Sequence, residues 1–175
     1  MSNPYVGFIG PGLFGKSYAA QTLSRRYWTG GGRRSIVHDP NDDPWGPHAL
    51  VFTDKDAFWT AVWHYTDCAV FADEFGENNY RTNEATPLFT RLRHQRHLFH
   101  VITHDWTDML PKQRNQLGTL FLFWQTEKAA KTLCEEWSDP RLMEATKLPQ
   151  YDFLYCRKFA QNPAHLIERS RFPAP

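Results

Sequence analysis

The chain is poor in cysteine, carries almost no net charge, and has no long apolar run. Each shortage removes a class of protein. Its three cysteines, Cys68, Cys134 and Cys156, are odd in number, far apart and form no C-x-x-C pair. That excludes a disulfide framework and fits a reduced, intracellular setting. The formal charge is +1 over 175 residues. An overall basic field is therefore absent, which excludes a histone-like protein that coats nucleic acid but leaves room for a local basic patch or pore loop. No apolar run approaches the ~18 residues of a membrane span. The N-terminus lacks the basic stretch followed by an apolar one that marks secretion. There is no internal repeat and no low-complexity tract.

What the chain does have is aromatic and apolar mass. Hydrophobic residues make up 41% and aromatics 15%, with seven Trp and thirteen Phe, against 22% charged residues. Such a balance belongs to a globular protein with a sizeable core. One domain over residues 1–175 is expected, with about 160–175 as a tail.

The most informative stretch is Gly10-Pro11-Gly12-Leu13-Phe14-Gly15-Lys16-Ser17. Its G-x-x-x-x-G-K-S spacing is that of a phosphate loop. A strand must end, the backbone must wrap an anion, and a helix must start with its free N–H groups aimed at that anion. Tyr5 to Ile9 supplies the apolar strand, and Tyr18 to Leu23 opens the helix. Pro11 has no N–H, so the cradle falls to the N–H groups around Phe14 to Ser17. The motif assigns Lys16 to the β- and γ-phosphates and the Ser17 hydroxyl to Mg²⁺. Gly10 through Tyr18 are the expected nucleotide-binding residues.

Further along, the first helix ends near Tyr27 to Thr29, and Gly30-Gly31-Gly32 caps it. Arg25, Arg26, Arg33 and Arg34 flank that triplet with Tyr27 and Trp28 between them. They form either a nucleic-acid patch or a solvated helix end whose cations suit the dipole. Strands are expected at Ser35–His38 and Ala49–Phe52, and a helix over Ala57–Tyr65 opened by Thr53 and Asp54. Thr53 to Asp56 reads T-D-K-D and not T-K-x-D, and it precedes the acidic strand, which rejects a guanine-specificity motif.

Cys68-Ala69-Val70-Phe71-Ala72 reads as a buried strand carrying Asp73-Glu74 out at its end. In open α/β sheets the ligand crevice lies outside that edge. Asp73 is expected to hold Mg²⁺, and Glu74 to orient and deprotonate an attacking water. Glu84 to Leu98 reads as a helix. Phe99 to Thr103 is the next strand, and it delivers Thr103 and His104 beside the carboxylates if the two strands are neighbours. His94, His97, His100 and His104 straddle that helix-to-strand change and share no face, which speaks against a zinc site. Thr119 to Trp124 is a further strand and Thr126 to Trp137 a helix. Arg141 to Lys147 reads as another helix, and Tyr151 to Arg157 alternates as a strand. The tail from Asn162 is a docking arm or frayed end. The fold class is α/β: a mostly parallel sheet with helices on both faces and a C-terminal antiparallel strand or hairpin.

Simple nucleotide kinases lack the second carboxylate, so Asp73-Glu74 favours hydrolysis. Phosphoryl transfer to a small molecule or nucleotide, and a non-catalytic assembly switch, are the alternatives. The order of motifs resembles the FtsK–HerA group of RecA-like P-loop ATPases, and within it the small genome-packaging ATPases of membrane-containing, double-jelly-roll-type viruses. The resemblance rests on Gly10–Ser17, Cys68–Glu74, and the run from Arg93-His94 through Leu122, including Asp108-Met109-Leu110-Pro111 and Arg114-Asn115-Gln116. It implies a DNA-translocating ATPase that uses ATP and Mg²⁺ and forms a homo-oligomeric ring of five or six subunits. It also implies non-sequence-specific contact with double-stranded DNA, docking on a capsid vertex or membrane protein, and work in the host cytoplasm or on the virion. An arginine of one subunit would complete the neighbour's site, worth ~10³–10⁵ in rate. Arg93 and Arg114 are the leading candidates, with Arg91 and Arg96 behind them. Arg81 and Lys112 are candidate pore contacts. Where the family has Gln at the tip of the sensor strand, this chain has Thr103-His104, and protonation of His104 would make activity pH-sensitive.

Overall fold

In the computed structural model the described residues are 5–76, 80, 86–161 and 164–172. The chain opens with β1 (Tyr5–Ile9), α1 (Lys16–Gly31), β2 (Ser35–His38), β3 (Ala49–Phe52), α2 (Lys55–His64) and β4 (Ala69–Ala72). Then come α3 (Thr86–Arg91), a 3₁₀ turn at Leu92–Gln95, β5 (Leu98–Thr103), a second such turn at Trp106–Asp108, and α4 (Pro111–Arg114). The chain continues through β6 (Thr119–Leu122), α5 (Glu127–Trp137), a 3₁₀ helix at Pro140–Lys147, β7 (Asp152–Gln161) and β8 (Ala164–Arg171).

The strands form one eight-stranded sheet in the order β3-β2-β4-β5-β1-β6-β7-β8. The first six in that order run parallel, and β7 and β8 close the far side as an antiparallel hairpin. This is the α/β architecture expected from the motif order. β4 is buried at every position, as a parallel strand covered on both faces must be. Two apolar layers do the covering. On one face α1 lays Ala19, Ala20 and Leu23 against Phe8, Val37, Phe71 and Ile102. On the other, Phe58 and Val62 of α2, Phe89 of α3 and Leu133 of α5 pack with Ile9, Val70, Phe99 and Leu120. Aromatic stacking knits the first layer: Phe8 on Phe121 at 4.7 Å and Phe71 on His100 at 4.2 Å. Each such ring buried contributes ~1.5–3 kcal/mol.

Three expectations change. The helix expected over Glu84–Leu98 gives way to a 3₁₀ turn at Leu92, and Arg96 adopts φ 61, ending it before β5 begins at Leu98. A left-handed residue cannot continue a right-handed helix. The helix expected over Arg141–Lys147 is a 3₁₀ helix over Pro140–Lys147. The tail, expected as a docking arm or frayed end, contains strand β8 paired along β7. Its anchors are polar. Arg169 binds Asp152 at 2.7 Å, His165 Nε2 meets the Trp137 carbonyl at 2.7 Å, and Arg141 donates to the His165 carbonyl at 2.9 Å.

Candidate functional site

β1 is where the strand order turns back on itself. The chain leaves β1 for strands on one side and returns, through β6, to the other. A crevice opens outside the carboxyl end of a strand at such a switch point. Gly10 to Gly15 fill that position here. The Gly10 N–H is held by the Thr103 carbonyl of β5 at 3.1 Å, and the Phe123 N–H by the Ile9 carbonyl of β1 at 2.8 Å. Gly10 sits so close to Phe123 that an added Cβ would lie 2.5 Å from its Cβ. Gly15, in the left-handed region, starts α1 with no side-chain cap. The first N–H groups of α1 therefore face the loop unsatisfied by any cap, the requirement for an anion site.

Lys16 is buried, and its ammonium donates to the Pro11 carbonyl at 2.9 Å across the loop. Burial lowers its pKa, opposed by the charges of Asp73 and Glu74. Leu13 stands at the loop tip, 86% exposed, with φ 65 and its carbonyl held by Gln150 at 2.8 Å. Tyr18 is exposed on α1 and meets the edge of Phe172 at 5.8 Å.

β4 neighbours β5, so Asp73-Glu74 and Thr103-His104 arrive at the same edge. Ser17 Oγ lies 3.4 Å from Asp73 Oδ2, which joins the phosphate loop to the acidic strand. Burial pushes the Asp73 carboxyl up to about 7, reinforced by the Glu74 charge and opposed by the Glu74 N–H and Lys16. A hydroxyl and a buried carboxylate short of positive charge suit a hard, oxygen-seeking cation such as Mg²⁺. Glu74 adopts φ 48, and its Oε2 accepts from His104 Nε2 at 2.7 Å. That bond puts the His104 proton on Nε2.

The two sensor candidates divide the work. His104 meets Glu74, whereas the Thr103 hydroxyl donates to Asp108 Oδ2 at 2.9 Å. Asp108 also accepts from the Asp105 N–H at 2.8 Å. An added Cβ on Gly76 would lie 2.7 Å from the Asp108 Cβ. Gly76 and Asp108 thus lock the segment after Glu74 to the one after His104. The resemblance singles out the run from Asp108 to Pro111 but not this contact, and the glycine's place three residues after Asp73 is the only hint of a close approach. Tyr151, at φ 70, packs against Gly15 and was likewise not foreseen.

The arginine candidates fare differently. Arg114 is buried, pairs with Glu136 at 2.6 Å and lies over the Trp106 ring at 5.8 Å. These contacts tie Arg114 to α5 within its own chain. Arg93 is exposed just before β5, at the opposite end of that strand from Thr103. Five strand steps of ~3.3 Å put about 17 Å between the two ends. Arg91 and Arg96 are exposed near Arg93, and Lys112 is exposed on α4. Arg81 lies outside the described residues. The histidines have separate partners. His97 bonds the Cys68 N–H and the Val62 carbonyl, and His100 bonds the Val70 carbonyl and the Tyr27 hydroxyl. Among the described residues no group of three His, Cys, Asp or Glu side chains is arranged to hold a metal.

Neither a protein-family model nor a curated protein matches the chain. Solved structures do. The DNA-packaging ATPase B204 of Sulfolobus turreted icosahedral virus superposes with a TM-score of 0.74 at 18% identity, over 99% of each chain. The genome-packaging NTPase B204 of Sulfolobus turreted icosahedral virus 2, solved with AMPPCP, gives 0.75 at 18% identity, over 98% of this chain and 100% of that one. The same NTPase with sulfate gives 0.77 at 16% identity, over 97% and 98%. At such identities the likeness establishes the fold, which is shared with these packaging NTPases along essentially the whole chain.

Proposed function

We propose that this chain is an ATP-hydrolysing motor that drives double-stranded DNA into a viral capsid. The carrying observation is the meeting of the phosphate loop and the acidic strand, with Ser17 Oγ 3.4 Å from Asp73 Oδ2. The full-length likeness to packaging NTPases, one of them solved with ATP-γS, supports the same reading.

In this mechanism the N–H groups at the start of α1 cradle the phosphates. Lys16 leaves the Pro11 carbonyl for the β- and γ-oxygens, exchanging one hydrogen bond for a charge-assisted one. Ser17 and Asp73 would hold Mg²⁺, which supplies neutralising charge to the phosphates when bound. Glu74 orients the attacking water and takes its proton. His104, donating to Glu74, fixes that carboxylate's direction. In a homo-oligomeric ring of five or six subunits, Arg93 can serve only a neighbour's crevice, because its own lies at the other end of β5. Duplex DNA held without sequence preference, and a capsid vertex or membrane protein at the portal, complete the assembly in the host cytoplasm or on the virion. No helix among the described residues is long and apolar enough to cross a membrane.

The test is ATP hydrolysis by the full chain with and without double-stranded DNA, for the wild type and Glu74→Gln. Hydrolysis by the wild type that Glu74→Gln abolishes is expected. Absence of hydrolysis in both conditions, or full activity in Glu74→Gln, refutes the proposal.

A further inference from the structure

The arginines around the glycine triplet have no part in the phosphate site. α1 runs its 16 residues away from the loop, about 24 Å at 1.5 Å per residue. It ends at the opposite edge of the sheet, where Gly32 caps it by donating to the Trp28 carbonyl at 2.8 Å. There the chain folds around an open groove of about 620 Å³. Arg26, Arg33 and Arg34 line one side, and Tyr65 to Cys68 the other. The 3₁₀ turn before β5 joins the same edge, because the Asp67 N–H donates to the Gln95 carbonyl at 2.9 Å. It brings Arg93 and Arg96, both exposed.

The edge formed by β2, β4 and β5 is therefore strongly basic. Arg25, Arg26, Arg33, Arg34, Arg93 and Arg96 stand against Asp67, a surplus of five charges. Since the whole chain sums to +1, everything else is net −4. Such a local field attracts a polyanion even when the protein is nearly neutral.

We infer that this arginine groove is the surface that grips the phosphate backbone of duplex DNA. The inference deepens the motor reading above and rests on it for the choice of polyanion. Two features favour a duplex. The arginines rim an open groove and do not converge on a closed pocket, so they suit an extended ligand over a free phosphate. Of the nearby aromatics, Tyr27 bonds His100, and Trp28 stacks on His48 at 6.4 Å with Arg34 over it at 6.0 Å, so the base stacking that single strands exploit falls mainly to Tyr65, 44% exposed. Arginine charge spread along the rim supplies the sequence-independent phosphate contacts of a backbone grip. Arg33 is held by Asp67 at 2.7 Å and fixes the groove wall. Arg26 and Arg34 are the exposed contacts.

The experiment is fluorescence anisotropy of a labelled mixed-sequence duplex with the full chain across a sodium chloride series. It compares the wild type, Arg26→Ala/Arg34→Ala, and Lys55→Ala at the carboxylate-rich opposite edge. The double variant is expected to bind at least about tenfold more weakly at moderate salt and to reduce the log–log salt slope by about 2, one for each phosphate contact removed. Lys55→Ala is expected to match the wild type. Binding of a fluorescent ATP analogue, and the melting temperature, should be unchanged in all three. Equal affinity and slope in wild type and double variant overturn the inference. So does an equal loss in Lys55→Ala, a wild type that binds no duplex, or one that binds phosphatidylserine vesicles through these arginines but not DNA. A wild type that grips DNA here yet hydrolyses no ATP would refute the motor and leave the groove standing.

Discussion

Replacing Arg114 by Met separates a structural arginine from a catalytic one. Arg114 Nη2 pairs with Glu136 Oε1 at 2.6 Å, and Glu136 Oε2 accepts from the Trp106 indole at 2.8 Å. The guanidinium also lies over the Trp106 ring at 5.8 Å. The triad ties the segment after β5 to α5. Removing one partner of a buried pair costs ~3–5 kcal/mol, because the other charge stays behind. The Arg114 side chain is 8% exposed and that of Glu136 22%, so water can take over part of the stranded carboxylate. Met keeps much of the apolar stem against Trp106. A loss of about 2–3 kcal/mol follows. For a domain of this size, each kcal/mol moves the melting temperature by roughly 2–4 °C, so a drop of about 5–10 °C is expected by near-ultraviolet circular dichroism. Hydrolysis per folded molecule, measured below both transitions, should change less than about tenfold, well short of the effect of a trans-acting arginine. Glu136→Gln alone should also destabilise, and the double variant should lose less than the sum of the singles. An unchanged melting temperature with hydrolysis down ~10³-fold or more would refute the structural assignment and return Arg114 to a neighbour's site.

Glu74→Gln keeps the side chain's size but removes the proton acceptor. ATP-analogue binding should persist while single-turnover hydrolysis falls ~10²–10⁴-fold, and parallel losses of both would show that Glu74 acts in binding. Gly10→Ala forces a methyl to within 2.5 Å of the Phe123 Cβ and should cost ~1–3 kcal/mol along with nucleotide affinity. Gly12→Ala, with nothing within 4 Å of its added Cβ, should be nearly silent in thermal melts. Burial holds the His100 pKa down at about 4. Its imidazole should stay neutral with the proton on Nδ1, facing the Val70 carbonyl, throughout an NMR titration from pH 8 to about 5. The unfolded chain takes that proton near pH 6.5 and the folded one does not. Its contribution is therefore complete above about 6.5 and lost as pH falls toward 4, by up to roughly 3 kcal/mol. Asp73, raised to about 7, works in the opposite sense, so the imidazole resonance and not the melting curve decides. Titration of His100 near 6.5 would contradict its burial.

The legible parts of this fold are those dictated by local chemistry. Gly10–Ser17 announces itself because few residues tolerate the backbone that a phosphate loop requires. β1, β4 and β5 read as apolar runs because parallel strands inside the sheet are buried on both faces. Elements held by tertiary contact are harder to read. β8 has few apolar residues and owes its place to the ladder with β7 and to Asp152, Trp137 and Arg141. The apolar spacing of Leu88 and Leu92 continues a helical period past Arg91, but the path into β5 requires a tighter turn and a left-handed Arg96. Arg114 looks identical to a catalytic arginine in sequence. Its pairing with Glu136, 22 residues on, is visible only in the fold. Asp108 and Gly76 become meaningful only as a pair.

Net charge was the least informative number, and the topology explains why. In a parallel sheet, residues after each strand gather at one edge and residues before each strand at the other. After β2 come Asp39, Asp42 and Asp43, after β3 Asp54 and Asp56, after β4 Asp73 and Glu74, and after β5 Asp105 and Asp108. Before β2 come Arg25, Arg26, Arg33 and Arg34, and before β5 Arg93 and Arg96. Summed, the nine carboxylates outweigh the six arginines by three charges, and the rest of the chain brings the total to +1. Sorted by strand end, they separate into a carboxylate-rich edge that contains the phosphate loop and an arginine-rich edge that does not. A carboxylate-rich edge repels a polyanion, so under the proposed function duplex DNA would be steered away from the ATP crevice and toward the far end of α1. Under the same reading, a triphosphate bound there would need countercharge from Lys16 and from a divalent cation. The near-neutral total of +1 thus conceals two opposite fields about one helix length apart. Charge read relative to the predicted strand ends would have shown both of them before any coordinates did.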